Sequence, residues 1–329
     1  MKKSARRRAL VALTAIATLL AAGGATAQGS YPTKPVTLLV AYPAGGDTDV
    51  LARLFAEKLT ARLGQPVVVE NRTGAGGTIG TAYVAKAAPD GYTLLFAPNT
   101  ISISPHVLRP GTGASYDPRK DLTPITLLGT QSLFVVVNKA AGVTRMEDFV
   151  THAKAGTLKT YGSPGNGSPM HILAELFNKS AGIKLTQIPY RGSAPAVVDL
   201  LGGQVPMMYS TLGPVSQYFP SGKLIPLAVA DKKRSPFAPN VPSLAELGYK
   251  DVEVGAWQAV VGPKGMSPEL VLTLNKHFND ILKMPDVVAR MATVAVTPQG
   301  SDPASLGKLI AADYERYGRI VKEFGIQAD

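Results

Sequence analysis

The chain has 329 residues, 34 of them Lys or Arg against 23 Asp or Glu, for a formal charge of +11, and it contains no cysteine. The missing cysteines exclude a disulfide framework and thiolate metal sites. The basic residues are scattered rather than gathered into a stripe interleaved with aromatics, which argues against nucleic-acid binding.

The first 27 residues read as a leader. Lys2, Lys3, Arg6, Arg7 and Arg8 precede an uncharged apolar run from Ala9 to Ala22, and Ala25-Thr26-Ala27 supplies an A-x-A cleavage pattern. The run is shorter than the ~20 residues a membrane span needs. Export by the general secretory route is therefore expected, with a mature chain beginning at Gln28 in the periplasm. Cleavage removes five positive charges and leaves +6. About 300 residues remain, a size at which one core tends to divide into two.

Along the mature chain, β-rich runs alternate with amphipathic stretches. Val36–Ala41, Val67–Glu70 and Tyr92–Phe96 read as strands, with helical periodicity at Val50, Leu51, Leu54, Phe55 and Leu59 and again from Thr78 to Ala87. A second series has strands at Phe134–Val137, Thr160–Gly162, Leu185–Ile188, Pro206–Tyr209 and Leu224–Ala230. Its helices fall at Met146–Lys154, His171–Ser180 and Ala196–Leu201. Ser267-Pro268 and Asp302-Pro303 each place an N-cap before Pro at the first helical position, opening helices of about four to five turns. Such βα alternation predicts mostly parallel sheets flanked by helices. The helical tail is expected to return to the first unit, so that residues 28–130 and 255–329 form one lobe and 131–254 the other. The chain then crosses near Leu128–Ser132 and Glu253–Trp257, a two-crossing hinge.

Three strand-to-helix junctions are rich in Gly and Ser: Tyr42–Asp49, Tyr161–Pro169 and Pro189–Pro195. Glycine allows close backbone approach, and a helix N-terminus offers unpaired N–H groups and partial positive charge. Together they form anion sites, and in parallel sheets such loops lie at the carboxyl ends of strands where ligands bind. One such loop is more often just a capped turn; three of them, spread over both units, favour a shared anion cleft.

Enzymatic patterns fit less well. Ser163 and Ser168 lack the G-x-S-x-G spacing of a nucleophile elbow. Gly74-Ala75-Gly76-Gly77-Thr78-Ile79-Gly80 misplaces the third glycine of a dinucleotide fingerprint. His106, His152, His171 and His277 have no metal-ligand spacing. No cofactor or metal is expected. An exported hydrolase using Ser163 or Ser168 with His171 is the enzymatic alternative. Trp257, the sole tryptophan, is expected to pack near the second crossing, with lining of the cleft as its alternative.

The junctions also carry a resemblance that runs from about Tyr31 to the C-terminus. Pro43-Ala44-Gly45-Gly46-Asp47-Thr48-Asp49 with Ala52-Arg53, Glu70-Asn71-Arg72, Pro89-Asp90-Gly91-Tyr92, Pro189-Tyr190-Arg191-Gly192 and Asp199–Val205 occur in order. In this the chain resembles the Bug-type substrate-binding proteins of tripartite tricarboxylate transporters. The resemblance implies a two-lobed, type II periplasmic-binding fold, a monomer, a small carboxylate ligand and delivery to membrane permease subunits; a receptor that signals to a membrane sensor is the alternative. It assigns ligand contacts to Ala44, Gly45, Gly46 and Thr48 of the first loop and to Ser163, Gly167 and Ser168 of the second. Tyr42, Asp49, Asn166, His171, Arg191 and Ser210 complete the expected site. At Ser210 relatives often carry an acidic residue; its replacement here favours a plain mono- or dicarboxylate over an amino acid.

Overall fold

The structure, a computed structural model, describes residues 31–108 and 115–327. The expected leader, residues 1–27, lies outside the described residues.

The strands form two sheets. The first has the order β11-β4-β10-β3-β1-β2, from β1 (Val36–Val40), β2 (Val67–Asn71), β3 (Thr93–Pro98), β4 (Leu122–Gln131), β10 (Ala256–Pro263) and β11 (Thr297–Pro298). The second has the order β7-β6-β8-β5-β9, from β5 (Leu133–Asn138), β6 (Thr160–Ser163), β7 (Thr186–Pro189), β8 (Met207–Thr211) and β9 (Leu224–Val229). The α/β class with helices on the sheet faces is as expected, but the sheets are less parallel than expected. β1 runs parallel to β2 and β3, and β6 to β7 and β8, whereas β10 opposes β3 and β4, β11 opposes β4, and β5 opposes β8 and β9. β5 enters the second sheet from the first and β10 enters the first from the second, so neither is joined to its neighbours by the helical crossover that parallel pairing requires; β11 is a two-residue edge strand.

Alternation along the central strands fills both faces. On one face of the first sheet, Val36, Leu38 and Val40 meet Leu51, Phe55 and Leu59 of α1 (Asp47–Leu63), and Phe55 lies 5.9 Å from both Phe96 and Phe278. On the other, Leu39 and Ala41 join Leu95, Ala97 and Val84 of α2 (Thr78–Ala85). The short α3 (Ser104–Val107) follows β3. In the second sheet Val135 and Val137 face α4 (Met146–Lys154) and α5 (Pro169–Ala181), and Phe134 and Val136 face α6 (Ser193–Leu201).

The tail forms α7 (Pro268–Ile281), α8 (Pro285–Thr293) and α9 (Pro303–Phe324). Both expected caps are made: the Ser267 hydroxyl accepts from Leu270 N–H and the Asp302 carboxylate from Ser305 N–H. At 22 residues α9 is about six turns, longer than expected, and its two halves serve different cores. Leu306 and Ile310 pack with the first sheet, and Tyr317, Ile320 and Val321 with the second.

Candidate functional site

The chain passes between the sheets at Gln131–Leu133 and again between β9 and β10. The loop after β1, the loop after β6 and the loop after β7 leave the carboxyl ends of their strands and open α1, α5 and α6. They enclose a cavity of about 150 Å³ lined from both sheets. At about 10–15 Å³ for each water-sized group, it holds a molecule of about ten heavy atoms.

Two close approaches form the lips. A Cβ on Gly76 (φ +63°) would lie 4.0 Å from the Asn166 carbonyl, and one on Gly192 (φ +106°) 3.9 Å from Pro43. Each pair joins a loop of the first sheet to one of the second, in backbone conformations that favour glycine. Outside the lips a second cavity of about 600 Å³ shares Tyr42, Asn166 and Arg191 with the first. Tyr42 stands between them, its hydroxyl donating to the Gly76 carbonyl at 3.2 Å, and burial pushes its pKa up to about 12.

Of the expected site residues, Tyr42, Ala44, Gly46, Thr48, Asp49, Asn166, Ser168 and Arg191 line the inner cavity. Asp49 does so as the clamp of the first loop. Its carboxylate accepts from Gly45 N–H at 3.0 Å, from Asn71 Nδ2 at 2.8 Å, and from Arg53 at 3.0 and 2.9 Å. Burial alone would raise its pKa; these donors outweigh burial and hold it below the usual carboxylate range. Asn71 also donates to the Tyr42 carbonyl at 3.0 Å, so strand β2 fixes both ends of the loop.

Gly45, Ser163, Gly167, His171 and Ser210 are not among the lining residues; Gly45 is exposed and the other four are buried. Ser163 is buried, donates to the Gly165 carbonyl at 3.3 Å and accepts from Gln187 Nε2 at 2.5 Å, so it shapes the second loop from within. Gly167 N–H donates to His171 Nδ1 at 3.3 Å, and the Ser168 hydroxyl caps α5 by accepting from His171 N–H at 3.2 Å. Burial lowers the His171 pKa to about 4. Neither serine hydroxyl bonds the His171 ring, so the nucleophile–base pair of a hydrolase is not assembled. Ser210 lies inside β8; strand alternation turns it away from the cleft, and Thr211, where the strand ends, takes the cavity position.

A polar wall toward the crossing completes the lining: Asn99, Thr100 and Gln258, from the segment Asn99–Ser104 and the surroundings of Trp257 whose orientation the sequence leaves open, and Asp47, Gln131 and Thr211, which the sequence reading did not place in the site. Thr48 Oγ1 donates to Gln258 Oε1 (3.3 Å), Gln258 Nε2 to Gln131 Oε1 (3.4 Å), and Gln131 Nε2 to Asp47 Oδ2 (3.2 Å). Thr211 Oγ1 donates to the same Asp47 oxygen at 2.6 Å. Gln131 and Gln258 sit on β4 and β10, which pair directly. Neither strand carries an uninterrupted β-rich run, so nothing local marked them.

The profile of the family described as "Tripartite tricarboxylate transporter family receptor" matches residues 51–326. The chain belongs to this family. It is 38% identical to Protein BugT of Bordetella pertussis over 321 residues, spanning 95% of this chain and 97% of that one. The fold is similar to that of the periplasmic binding protein BugD, with a TM-score of 0.83, 32% identity and coverage of 91% of this chain and all of that one. It is also similar to an R. palustris protein solved with adipate, with a TM-score of 0.84, 32% identity and the same coverage. The chain is thus a solute-binding receptor of the tripartite tricarboxylate transporter family and not an enzyme. Among the described residues no helix is long and apolar enough to cross a membrane, and no three His, Cys, Asp or Glu side chains gather as a metal site.

Proposed function

We propose that this receptor works in the periplasm, after removal of residues 1–27, and captures a small carboxylate between two lobes, residues 28–130 with 255–329 and residues 131–254. It then delivers the ligand, as a monomer, to the membrane permease subunits of a tripartite tricarboxylate-type transporter. The observation that carries the reading is the inner cavity itself, enclosed by loops of both sheets and faced by the N-terminal turns of α1, α5 and α6. The first turns of α5 and α6 contain no acidic residue, and Arg191 lies two residues before α6. An anion there receives helix N–H groups and a guanidinium in a partly sheltered space between the two sheets. The volume fits a C4 to C6 acid, and adipate, bound by the R. palustris relative, is within that range.

A thermal-shift screen of C4–C6 diacids, monocarboxylates, aromatic acids and amino acids tests this. A cognate acid at about 100 times its Kd stabilises the protein by about 2.7 kcal/mol. A screen in which no carboxylate raises Tm, or in which aspartate and glutamate outperform their deaminated diacids, contradicts the ligand class. Uptake that survives deletion of the permease genes contradicts the delivery step.

A further inference from the structure

The first turn of α1 carries two carboxylates with unlike surroundings. Asp49 is neutralised by Arg53. Asp47 lines the same anion cavity, only partly exposed, and its carboxylate meets two neutral donors, Gln131 and Thr211, and no cation among the described residues. The relay from Thr48 through Gln258 and Gln131 ends on Asp47, where Gln131 Nε2 is the donor. Thr211 belongs to the second sheet and Asp47 to the helix after β1, so their 2.6 Å bond spans the cleft. Gly213 lies beside the other carboxylate oxygen: a Cβ there would be 3.1 Å from Asp47 Oδ1 and 3.2 Å from the Val294 carbonyl, which itself accepts from Gln131 Nε2 at 3.4 Å.

We propose that Asp47 latches the closed form as a hydrogen-bond acceptor rather than as a charge, so that closure around an anionic ligand takes up one proton from water at this carboxyl. An ionised Asp47 would stand without a cation beside the bound anion, whereas a protonated one keeps Oδ2 for Thr211 and Gln131 and carries its proton on Oδ1. Burial raises the Asp47 pKa, opposed in part by those two donors. The sign follows. A carboxyl whose pKa is higher in the closed form than in the open one favours closure as pH falls, and the gain is lost as pH rises through the closed-form pKa. The charged groups near it are Asp49 with Arg53 on its own helix and Arg191 across the cavity; β4, β8 and β10 face it with Gln131, Thr211 and Gln258, which do not titrate. Asp231 and Asp313, also raised by burial, line a separate cavity at the crossing.

The proposal rests on the carboxylate-receptor reading, and calorimetry with adipate, or with the best diacid of the screen, tests the two separately. Titrations between pH 5.5 and 8 in buffers of different ionisation heat measure proton uptake directly. We expect the parent to take up a proton on binding, its affinity rising by at most about tenfold per pH unit of acidification. Asp47→Asn keeps an acceptor for Thr211 and Gln131; it should bind with no proton uptake and no pH slope, and Asp313→Asn should retain both. Thr211→Val should weaken the parent about tenfold and leave the ligand-free Tm within a few degrees. A parent that binds without proton uptake, an Asp47→Asn protein that keeps the same uptake, or one that folds and no longer binds overturns the latch. A parent that binds no carboxylate overturns the receptor reading and the latch with it.

Discussion

A carboxylate in this cleft is defined by its donors. Asp47 and Asp49 are two residues apart on one helical turn, yet their pKa values move in opposite directions because only Asp49 has a guanidinium and a backbone N–H. Replacing Asp49 by Ala would leave the Gly45 N–H and the Asn71 amide without their acceptor and free the first loop. The expected loss is about 1–3 kcal/mol, mostly from those part-buried partners, since Arg53 is half exposed and its pairing is screened. Chemical denaturation at pH 7 should show that loss together with lost ligand binding; unchanged stability would mean the loop holds its shape without Asp49. Because the folded-state pKa is depressed, this contribution is present above the unfolded value of about 3.9 and disappears as pH falls through the folded one. Sequence alone placed Asp49 in the site but not its task, which depends on Asn71, a partner 22 positions away. The task of Asp47, Gln131, Thr211 and Gln258 was hidden for the same reason: their meaning lies in a relay across three strands and a helix turn. Ser210 is buried one position before Thr211, the residue of β8 that lines the cavity, and strand alternation separates the two.

Elements bounded by chemical punctuation were legible. Ser267-Pro268 and Asp302-Pro303 announced their helices, and Gly-rich junctions marked where β1, β6 and β7 end. β4 and β10 were hidden because Pro124 and Gly129 interrupt one and Gly262-Pro263 ends the other, and their pairing is broken twice by register shifts. The glycine run after β2 has a packing explanation. A Cβ on Gly80 would lie 2.6 Å from the Arg72 carbonyl and 2.9 Å from the Ala41 Cβ, so α2 sits with its backbone on the end of β1. Gly80→Ala should therefore cost about 1–3 kcal/mol through overpacking, despite Ala being the better helix former. Ser267→Ala should cost about 0.5–1 kcal/mol for its lost cap. Urea melts of both variants measure this; a Gly80→Ala protein as stable as the parent would show that α2 can shift away from the strand.

At the scale of the molecule, closure has to be reconciled with α9. This helix is rooted in the core of the first sheet through Leu306 and Ile310 and in that of the second through Tyr317, Ile320 and Val321, so it passes beside both chain crossings. The stretch between these anchors is tied to the second crossing: Asp313 accepts from Trp257 Nε1 at 2.8 Å, and Arg316 donates to the Glu253 carbonyl. A rotation of one sheet against the other must be absorbed where the helix touches the crossing, because packed cores do not deform continuously. Trp257 is the only tryptophan, 5% exposed, at the start of β10, and it lines the cavity at the crossing rather than the inner cavity. Its indole should therefore sense closure without touching the ligand. A saturating diacid should change the Trp257 emission with the same midpoint as the calorimetric binding curve, and Trp257→Phe should abolish the signal while leaving Kd within about threefold, a cost under 1 kcal/mol. An emission that stays constant while calorimetry records binding would mean the sheets do not rotate about this crossing, and the lips at Gly76–Asn166 and Pro43–Gly192 would then have to open by loop movement alone.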